Sequence, residues 1–175
     1  AIAVDINIAR FYWHMLDEFM TCPLSASGYV AGETAAGIVR ATGASVIIMI
    51  IGTLAGVHVN LLAPGLWLAL VLNAWFFSGL AIMMAMLVKS HADQALLSNF
   101  VITPMAFLGG TFFPLERLPE WARHLLGVLP LPHAAGAMQA AAAGRPVAWS
   151  ELGILAIGAF AVFLGAVHSV SRARS

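Results

Sequence analysis

The sequence predicts an all-α integral membrane protein, and three observations lead to this fold class. Of the 175 residues, 61% are hydrophobic and only 9% are charged. Soluble domains carry about 25% charged residues, so the composition of this chain cannot supply a water-facing surface around a core. No Asp, Glu, Lys or Arg lies between Arg40 and Lys89. Finally, several apolar stretches are as long as a bilayer is thick.

The apolar stretches predict four transmembrane helices. A bilayer core of about 30 Å requires about 20 mainly apolar residues in helical conformation. A Pro64-Gly65 pair provides a turn between the first two of these helices. The four predicted spans are residues 41–57, 66–88, 95–113 and 152–170.

Two other segments are predicted not to cross the membrane. Residues 1–20 contain too many charged side chains for a span. The apolar stretch 125–143 is interrupted by Pro130, Pro132 and His133. Because each proline removes a helix donor, we expect residues 114–147 to form short interfacial helices instead of a fifth span.

Basic residues indicate the orientation of the chain. Four spans place both termini on one side, and basic residues close to span ends favour the cytoplasm. The side of the termini carries Arg10, Arg40, Lys89, Arg172 and Arg174; the other side carries Arg117, Arg123 and Arg145. Both termini, including the C-terminus, are therefore predicted to be cytoplasmic, and residues 114–147 to face outward.

Several kinds of chemistry are excluded or unsupported. The net charge is zero, which argues against nucleic-acid binding. Lys89 is the only lysine and follows Val88, so the chain contains no phosphate-binding P-loop. No HExxH or GxSxG motif is present, and Cys22 is the only cysteine. We therefore assign no catalytic, cofactor-binding or metal-binding residue to this chain.

Polar residues within the predicted spans have two interpretations. They could line a path for a transported molecule, or they could form hydrogen bonds between packed helices. The sequence leaves both open. The candidate path residues are Asn73, Ser98, Asn99 and Thr103; Ser78 belongs to the same set of intramembrane polar residues. Ala161 and Gly165 are four residues apart and predict a small-residue packing face on the last helix.

The stretch NFVITPMAFLGGTFFPLERLPEW, residues 99–121, combines features of a membrane helix with features that bend and end one. Pro104 removes a backbone hydrogen bond and predicts a kink. Gly109 and Gly110 allow close backbone approach. Pro114 and Pro119 are expected to end the span, after which an amphipathic pattern predicts a helix in the membrane interface.

These residues resemble the C-terminal part of type-2 ABC exporter permeases. The resemblance rests on that stretch, on LPLPHAAGAMQ with Pro130, Leu131, His133 and Gln139, and on DEFMTCPLSASGYVAGE. Gln139 stands where the family more often has Arg. The resemblance covers nearly the whole chain. It implies a permease domain with six spans, of which this sequence would lack the first two, and helical re-entrant elements that include Pro130 and His133.

The resemblance also implies partners. A permease of this type pairs with a second permease copy and with separate ABC ATPase subunits, which would hold ATP and Mg. Its location would be the bacterial inner membrane, in contact with membrane lipids. Its substrate would be a drug, a lipid, or a polysaccharide or lipid-linked form of one.

Residues 10–35 are expected to be the cytoplasmic region that couples the permease to the ATPase. Leu16, Phe19 and Met20 form one apolar helix face, and Pro23 would stop that helix. The resemblance implies that this segment is the coupling helix. Without the resemblance, an ordinary interfacial helix would explain the same pattern. The expected coupling residues are Leu16, Asp17, Glu18, Phe19, Met20, Pro23, Leu24 and Ser25.

Two other functions stay open from the sequence alone. One is a membrane anchor or assembly subunit that transports nothing. The other is an intramembrane enzyme acting on lipid-linked substrates, with His133 or Glu116 as its acid or base. The enzyme hypothesis lacks a paired nucleophile and base at a familiar spacing.

Overall fold

In this computed structural model, residues 25–88 and 129–173 are described, together with single positions 93, 99, 100 and 120. Within these residues all regular secondary structure is helical. The main helices are α1 (Ala26–Leu54), α2 (Pro64–Leu87), α3 (Pro130–Ala142) and α4 (Trp149–Ala173). By length and composition, α1, α2 and α4 could each cross a membrane. The predicted third span, residues 95–113, lies outside the described residues except for positions 99 and 100.

Helix α1 begins well before the predicted span. It starts at Ala26, where the Ser25 side chain accepts a hydrogen bond of 3.1 Å from the Gly28 backbone N–H. The helix begins 15 residues before the predicted start of the first span at residue 41, because hydropathy detects apolar runs and not helix caps. Residues 26–35 of the expected coupling region are therefore the first turns of α1, and residues 10–24 lie outside the described part.

Helices α2 and α4 agree with their predicted spans within three residues at each end. Helix α2 opens with Pro64 in its first turn, where the missing N–H has no helical partner to lose. The Trp67 indole N–H donates to the Leu61 carbonyl at 2.8 Å and ties the preceding loop to the helix. Helix α4 begins at Trp149, so Glu151 lies in its first turn.

Helices α2 and α4 run in the same direction and pack through glycines. A Cβ atom at Gly79 would lie 3.0 Å from Val162 Cγ1, and one at Gly165 would lie 3.0 Å from Met83 Sδ. Residue numbers rise together along both helices at these contacts, which shows that the two are parallel. The predicted small-residue face was wrong in one position, because Ala161 is exposed; Gly158, which packs on Phe76, takes its place.

Two apolar clusters hold the bundle together at opposite ends. We call the end at which α2 and α4 begin the upper end, and the end at which they finish the lower end. The lower cluster joins α1 to the other two long helices through Val30, Ile82, Ala85, Ala166 and Val170. The upper cluster joins α3 to α2 and α4 through Ala69, Leu72, Ala134, Ala137, Leu152 and Leu155.

Helix α3 is short and packs only at the upper end. Its 13 residues extend about 20 Å, which is less than the bilayer core. Its last residue, Ala142, accepts a hydrogen bond of 3.0 Å from the Asn60 backbone N–H in the loop after α1. Ala141 lies beside Gly65 at the start of α2. Helix α3 therefore ends at the upper end and runs opposite to α2 and α4.

Candidate functional site

The predicted path residues that the structure describes do not form one cluster. Asn73 is partly buried on α2, and its Oδ1 atom has no hydrogen-bond partner among the described residues. Ser78 is buried, with 2% of its surface exposed. Five residues along a helix correspond to about 140° of rotation, so the two side chains leave α2 on different faces. Asn99 is helical and exposed, and Ser98 and Thr103 lie outside the described residues.

A second buried polar atom without a hydrogen-bond partner among the described residues lies close to Asn73 on α2. The Trp75 indole nitrogen is buried and makes no hydrogen bond within the described part of the chain. Its ring packs edge-on against Phe163 of α4, with the ring centroids 6.2 Å apart, and also contacts the upper cluster. Buried polar atoms normally have partners, so the middle of α2 presents one acceptor and one donor that residues 25–88 and 129–173 leave unsatisfied. Trp75 was not predicted as a functional residue, because a tryptophan in an apolar run suggests only packing.

An open cavity lies at the upper end, between the end of α1 and the end of α3. Its volume is about 440 Å³, which falls within the range of small-molecule sites. The loop after α1 and the α3 terminus are joined by the Asn60 backbone bond described above. The cavity is lined by Thr53, Val57, His58, Val59, Asn60, Ala142, Ala143 and Gly144. None of these residues was predicted as functional from the sequence.

The residues predicted to form the re-entrant region are only partly described. Pro130 is the first residue of α3, and Leu129 precedes it in an extended conformation. His133 lies one turn further along α3, is partly buried, and has an interaction partner. Five other residues of this prediction lie outside the described part: Pro104, Gly109, Gly110, Pro114 and Pro119.

Of the predicted coupling residues, only Ser25 is described. Its side chain caps α1 and is therefore occupied by a structural hydrogen bond. A role in coupling for the others stays a prediction. They are Leu16, Asp17, Glu18, Phe19, Met20, Pro23 and Leu24, and all lie outside the described residues.

One ionisable residue of the upper end was not predicted. Glu151 is partly buried in the first turn of α4, and Gly136 of α3 faces it. A Cβ atom at Gly136 would lie 3.4 Å from Glu151 Oε2. The α4 dipole stabilises a carboxylate in this first turn by about 0.3–1 kcal/mol. Glu151 was not predicted as a functional residue, because the predicted span began one residue later.

Comparison with known proteins identifies the family. The sequence profile of the family described as ABC-2 type transporter matches residues 14–142. The chain belongs to the ABC-2 type transporter family. The resemblance inferred from its motifs is thereby confirmed. No solved structure matches the chain.

Several members of the family are similar to this ABC-2 chain. Nodulation protein J of Rhizobium leguminosarum bv. viciae is 28% identical over 150 residues, covering 81% of this chain and 55% of that protein. Nodulation protein J of Rhizobium meliloti (strain 1021) is 31% identical over 121 residues, covering 63% and 46%. Inner membrane transport permease YadH of Escherichia coli (strain K12) is 27% identical over 119 residues, covering 66% and 45%. The chain thus spans about half the length of these relatives.

Proposed function

We propose that this chain is part of the membrane-spanning permease of an ATP-driven ABC exporter. In this role it forms the translocation path together with a second permease copy and depends on a separate ATPase subunit. The observation that carries the proposal is the family match over residues 14–142. The absence of a P-loop from the sequence supports placing ATP and Mg on the partner subunit. The proposed substrate is a drug, a lipid, or a polysaccharide or its lipid-linked form.

The direction of the helices supports four crossings. Helix α2 finishes at the lower end and α4 begins at the upper end, which is the arrangement expected if the chain returns across the bundle between them. Helix α3 is too short for that return and lies only at the upper end. This favours a crossing within residues 88–129, where the sequence predicts the span 95–113.

The proposed orientation rests on the basic residues of the sequence. Four crossings place both termini at the lower end, and the basic residues on that side favour the cytoplasm, so the upper end would face outward. The C-terminus is then cytoplasmic. The similarity to an inner membrane permease of Escherichia coli supports the bacterial inner membrane as the location. Asn73, Ser98, Asn99 and Thr103 are the candidate path residues.

The coupling segment offers the sharpest test of this function. Energy from a separate ATPase has to reach the permease through a cytoplasmic contact, and Phe19 is the proposed aromatic anchor of that contact. Truncating a buried interface aromatic typically costs about 2 kcal/mol or more. We therefore expect Phe19→Ala combined with Leu16→Ala, in the full-length subunit, to reduce ATPase co-purification by at least tenfold.

Ser171→Ala serves as the control for this experiment. Ser171 is exposed near the C-terminal end of α4, at the lower end of the bundle. This variant should retain both ATPase binding and ATP-dependent transport in proteoliposomes. Unchanged co-purification and transport in the double variant would refute the coupling assignment. ATPase association by wild-type protein without any transport would instead favour an assembly subunit.

A further inference from the structure

The cavity at the upper end lies where two helices finish. Thr53 is in the last turn of α1 and Ala142 is the last residue of α3, and both residues line the cavity. Both helices run toward the upper end, so the negative ends of two helix dipoles lie at the same cavity. The C-terminal end of a helix carries a partial negative charge and favours cations. The cavity therefore favours a ligand with a cationic group.

The walls of this cavity are held in place by hydrogen bonds. The Asn60 backbone N–H donates to the Ala142 carbonyl at 3.0 Å and joins the loop after α1 to the end of α3. The hydrogen bond from Trp67 to the Leu61 carbonyl holds the other end of that loop on α2. Because these walls are already fixed, little conformational freedom is lost when a ligand binds, which favours binding.

The described residues around the cavity offer hydrogen-bond acceptors but no full negative charge. The Thr53 hydroxyl donates to the Ile50 carbonyl at 2.8 Å, which leaves its oxygen able to accept. The Ala142 carbonyl has a second lone pair besides the one used by Asn60, and the Asn60 side chain carries an amide oxygen. No Asp or Glu is among the described lining residues. Such acceptors suit a primary ammonium group, which has three N–H donors, better than a metal ion.

A guanidinium group and an exposed indole lie next to the cavity in the sequence. Arg145 follows the lining residue Gly144 and is exposed. Guanidinium groups bind phosphate through paired hydrogen bonds. Trp149, at the start of α4, is 82% exposed, as is typical of tryptophan at the level of lipid head groups. A ligand that carries a phosphate besides its ammonium group would therefore find a counter-charge here.

An apolar strip on α1 leads from the cavity toward the middle of the bundle. Its three side chains are exposed, and their positions lie within about 60° of one another around the helix. Ile50 is three residues before Thr53 and therefore lies beside it on the helix surface. The strip provides an apolar surface for an acyl chain whose head group occupies the cavity. It consists of Ile47, Ile50 and Leu54.

We propose that this cavity binds the head group of an aminophospholipid of the phosphatidylethanolamine type from the surrounding bilayer. The ammonium group lies among the acceptors of Thr53, Asn60 and Ala142, the phosphate lies beside Arg145, and an acyl chain follows the strip on α1. By contacting both walls, the lipid holds the upper end of α1 against α3. The site goes beyond the proposed function, because it requires neither export nor that this lipid be the transported substrate.

Native mass spectrometry of the purified full-length permease, titrated with single lipids in detergent, tests the proposal. The lipids are phosphatidylethanolamine, phosphatidylcholine and phosphatidylglycerol with the same acyl chains. We expect phosphatidylethanolamine to bind about fivefold or more tightly than phosphatidylcholine, because the trimethylated head group has no N–H donors. Phosphatidylglycerol should also bind more weakly, since it has no cation for the helix ends. Equal affinity for all three lipids overturns the proposal.

A matched pair of variants tests whether the lipid occupies this cavity. Ala143→Leu enlarges an exposed lining residue and should lower the affinity for phosphatidylethanolamine about fivefold. Ala55→Leu is the control, because Ala55 is exposed and ends α1 as Ala143 ends α3, yet does not line the cavity. The two residues share nearly the same backbone conformation, with φ and ψ of −78° and 4° at Ala55 and −80° and 4° at Ala143. The control should bind like wild type.

A third variant tests the role of the ammonium group. Asn60→Ala removes one acceptor but keeps the backbone bond to Ala142, and should reduce the preference for phosphatidylethanolamine over phosphatidylcholine about threefold. A general loss of folding would lower both affinities and leave that ratio unchanged. An unchanged affinity in Ala143→Leu together with an unchanged ratio in Asn60→Ala overturns the site. If one of these variants does not fold, the other decides.

Two further outcomes separate the lipid from a soluble ligand and from the proposed function. Glycerophosphoethanolamine has the same head group without acyl chains and should compete at least tenfold more weakly than the lipid; equal competition would show a site for a soluble zwitterion and overturn the lipid proposal. A permease that transports with its ATPase but shows no lipid preference refutes the lipid site alone. One that prefers phosphatidylethanolamine but associates with no ATPase refutes only the exporter function.

Discussion

The contact between α2 and α4 at Gly79 makes a quantitative prediction. A Cβ atom there would lie 3.0 Å from Val162 Cγ1 and 3.6 Å from the Phe163 backbone nitrogen. Carbon atoms prefer separations of about 3.5–4.0 Å, so even one added carbon is crowded. Val162 is β-branched and restricted in χ1, and the α4 backbone lies behind it. Neither neighbour can move away without disturbing the helix pair.

We expect Gly79→Val to destabilise the permease by about 2–3 kcal/mol, the upper part of the range for overpacking. Gly43→Val is the matched control, because no atom of the described residues lies within 4 Å of a Cβ at that position of α1. Because both variants replace glycine by valine within a helix, the effect of helix propensity on stability cancels when they are compared. The remaining difference in stability between the two variants reports packing against α4.

The assay is thermal unfolding of the full-length permease in detergent, followed by tryptophan fluorescence. At about 2–4 °C per kcal/mol, Gly79→Val should melt about 4–12 °C below Gly43→Val. Adding Val162→Ala to Gly79→Val removes the two methyl groups that crowd the new side chain and should recover at least half of the loss. Equal melting temperatures for the two valine variants, or no recovery in the double variant, would show that this contact is not tightly packed.

Three further predictions concern the upper end and the topology. Trp67→Phe removes the 2.8 Å hydrogen bond to the Leu61 carbonyl and should cost about 1 kcal/mol in the same unfolding assay. Gly144 has a φ of 69°, so Gly144→Ala should cost about 1–2 kcal/mol in that assay, and no loss would mean that the loop adopts another conformation. Arg145 and Arg172 lie near opposite ends of α4. A cysteine replacing Arg145 should react with impermeant reagents only from outside, and one replacing Arg172 only from the cytoplasm. Labelling of both from one side would contradict the proposed orientation.

The sequence alone predicted the character of the helices. Apolar length sufficed to locate α2 and α4 within three residues, because lipid-facing and core-facing positions are both apolar in a membrane helix. Motifs such as LPLPHAAGAMQ indicated the transporter family through the order of residues along the chain. The start of α1 was missed because Glu33 and Arg40 lower the hydropathy without interrupting a helix that Ser25 caps.

The candidate site depended far more on the tertiary structure. Asn73 was recognised from the sequence because an amide is conspicuous in an apolar run. Trp75 was not recognised, since the lack of a partner for its nitrogen among the described residues becomes apparent only when its neighbours are known. Similarly, the glycines of α2 and α4 suggest close packing individually, but only the fold pairs Gly79 with Val162 and Gly165 with Met83.

Membrane insertion and family membership were thus determined by the sequence, because both depend on the order of residues along one chain. The partners of individual side chains were decided by the tertiary structure. Glu151 and Gly136 are separated by a helix end and a loop, and neither residue indicates the other in the sequence. They meet because α3 runs opposite to α4 and packs against its first turns through Leu152 and Leu155. That packing places a glycine, and not a cationic side chain, against the carboxylate.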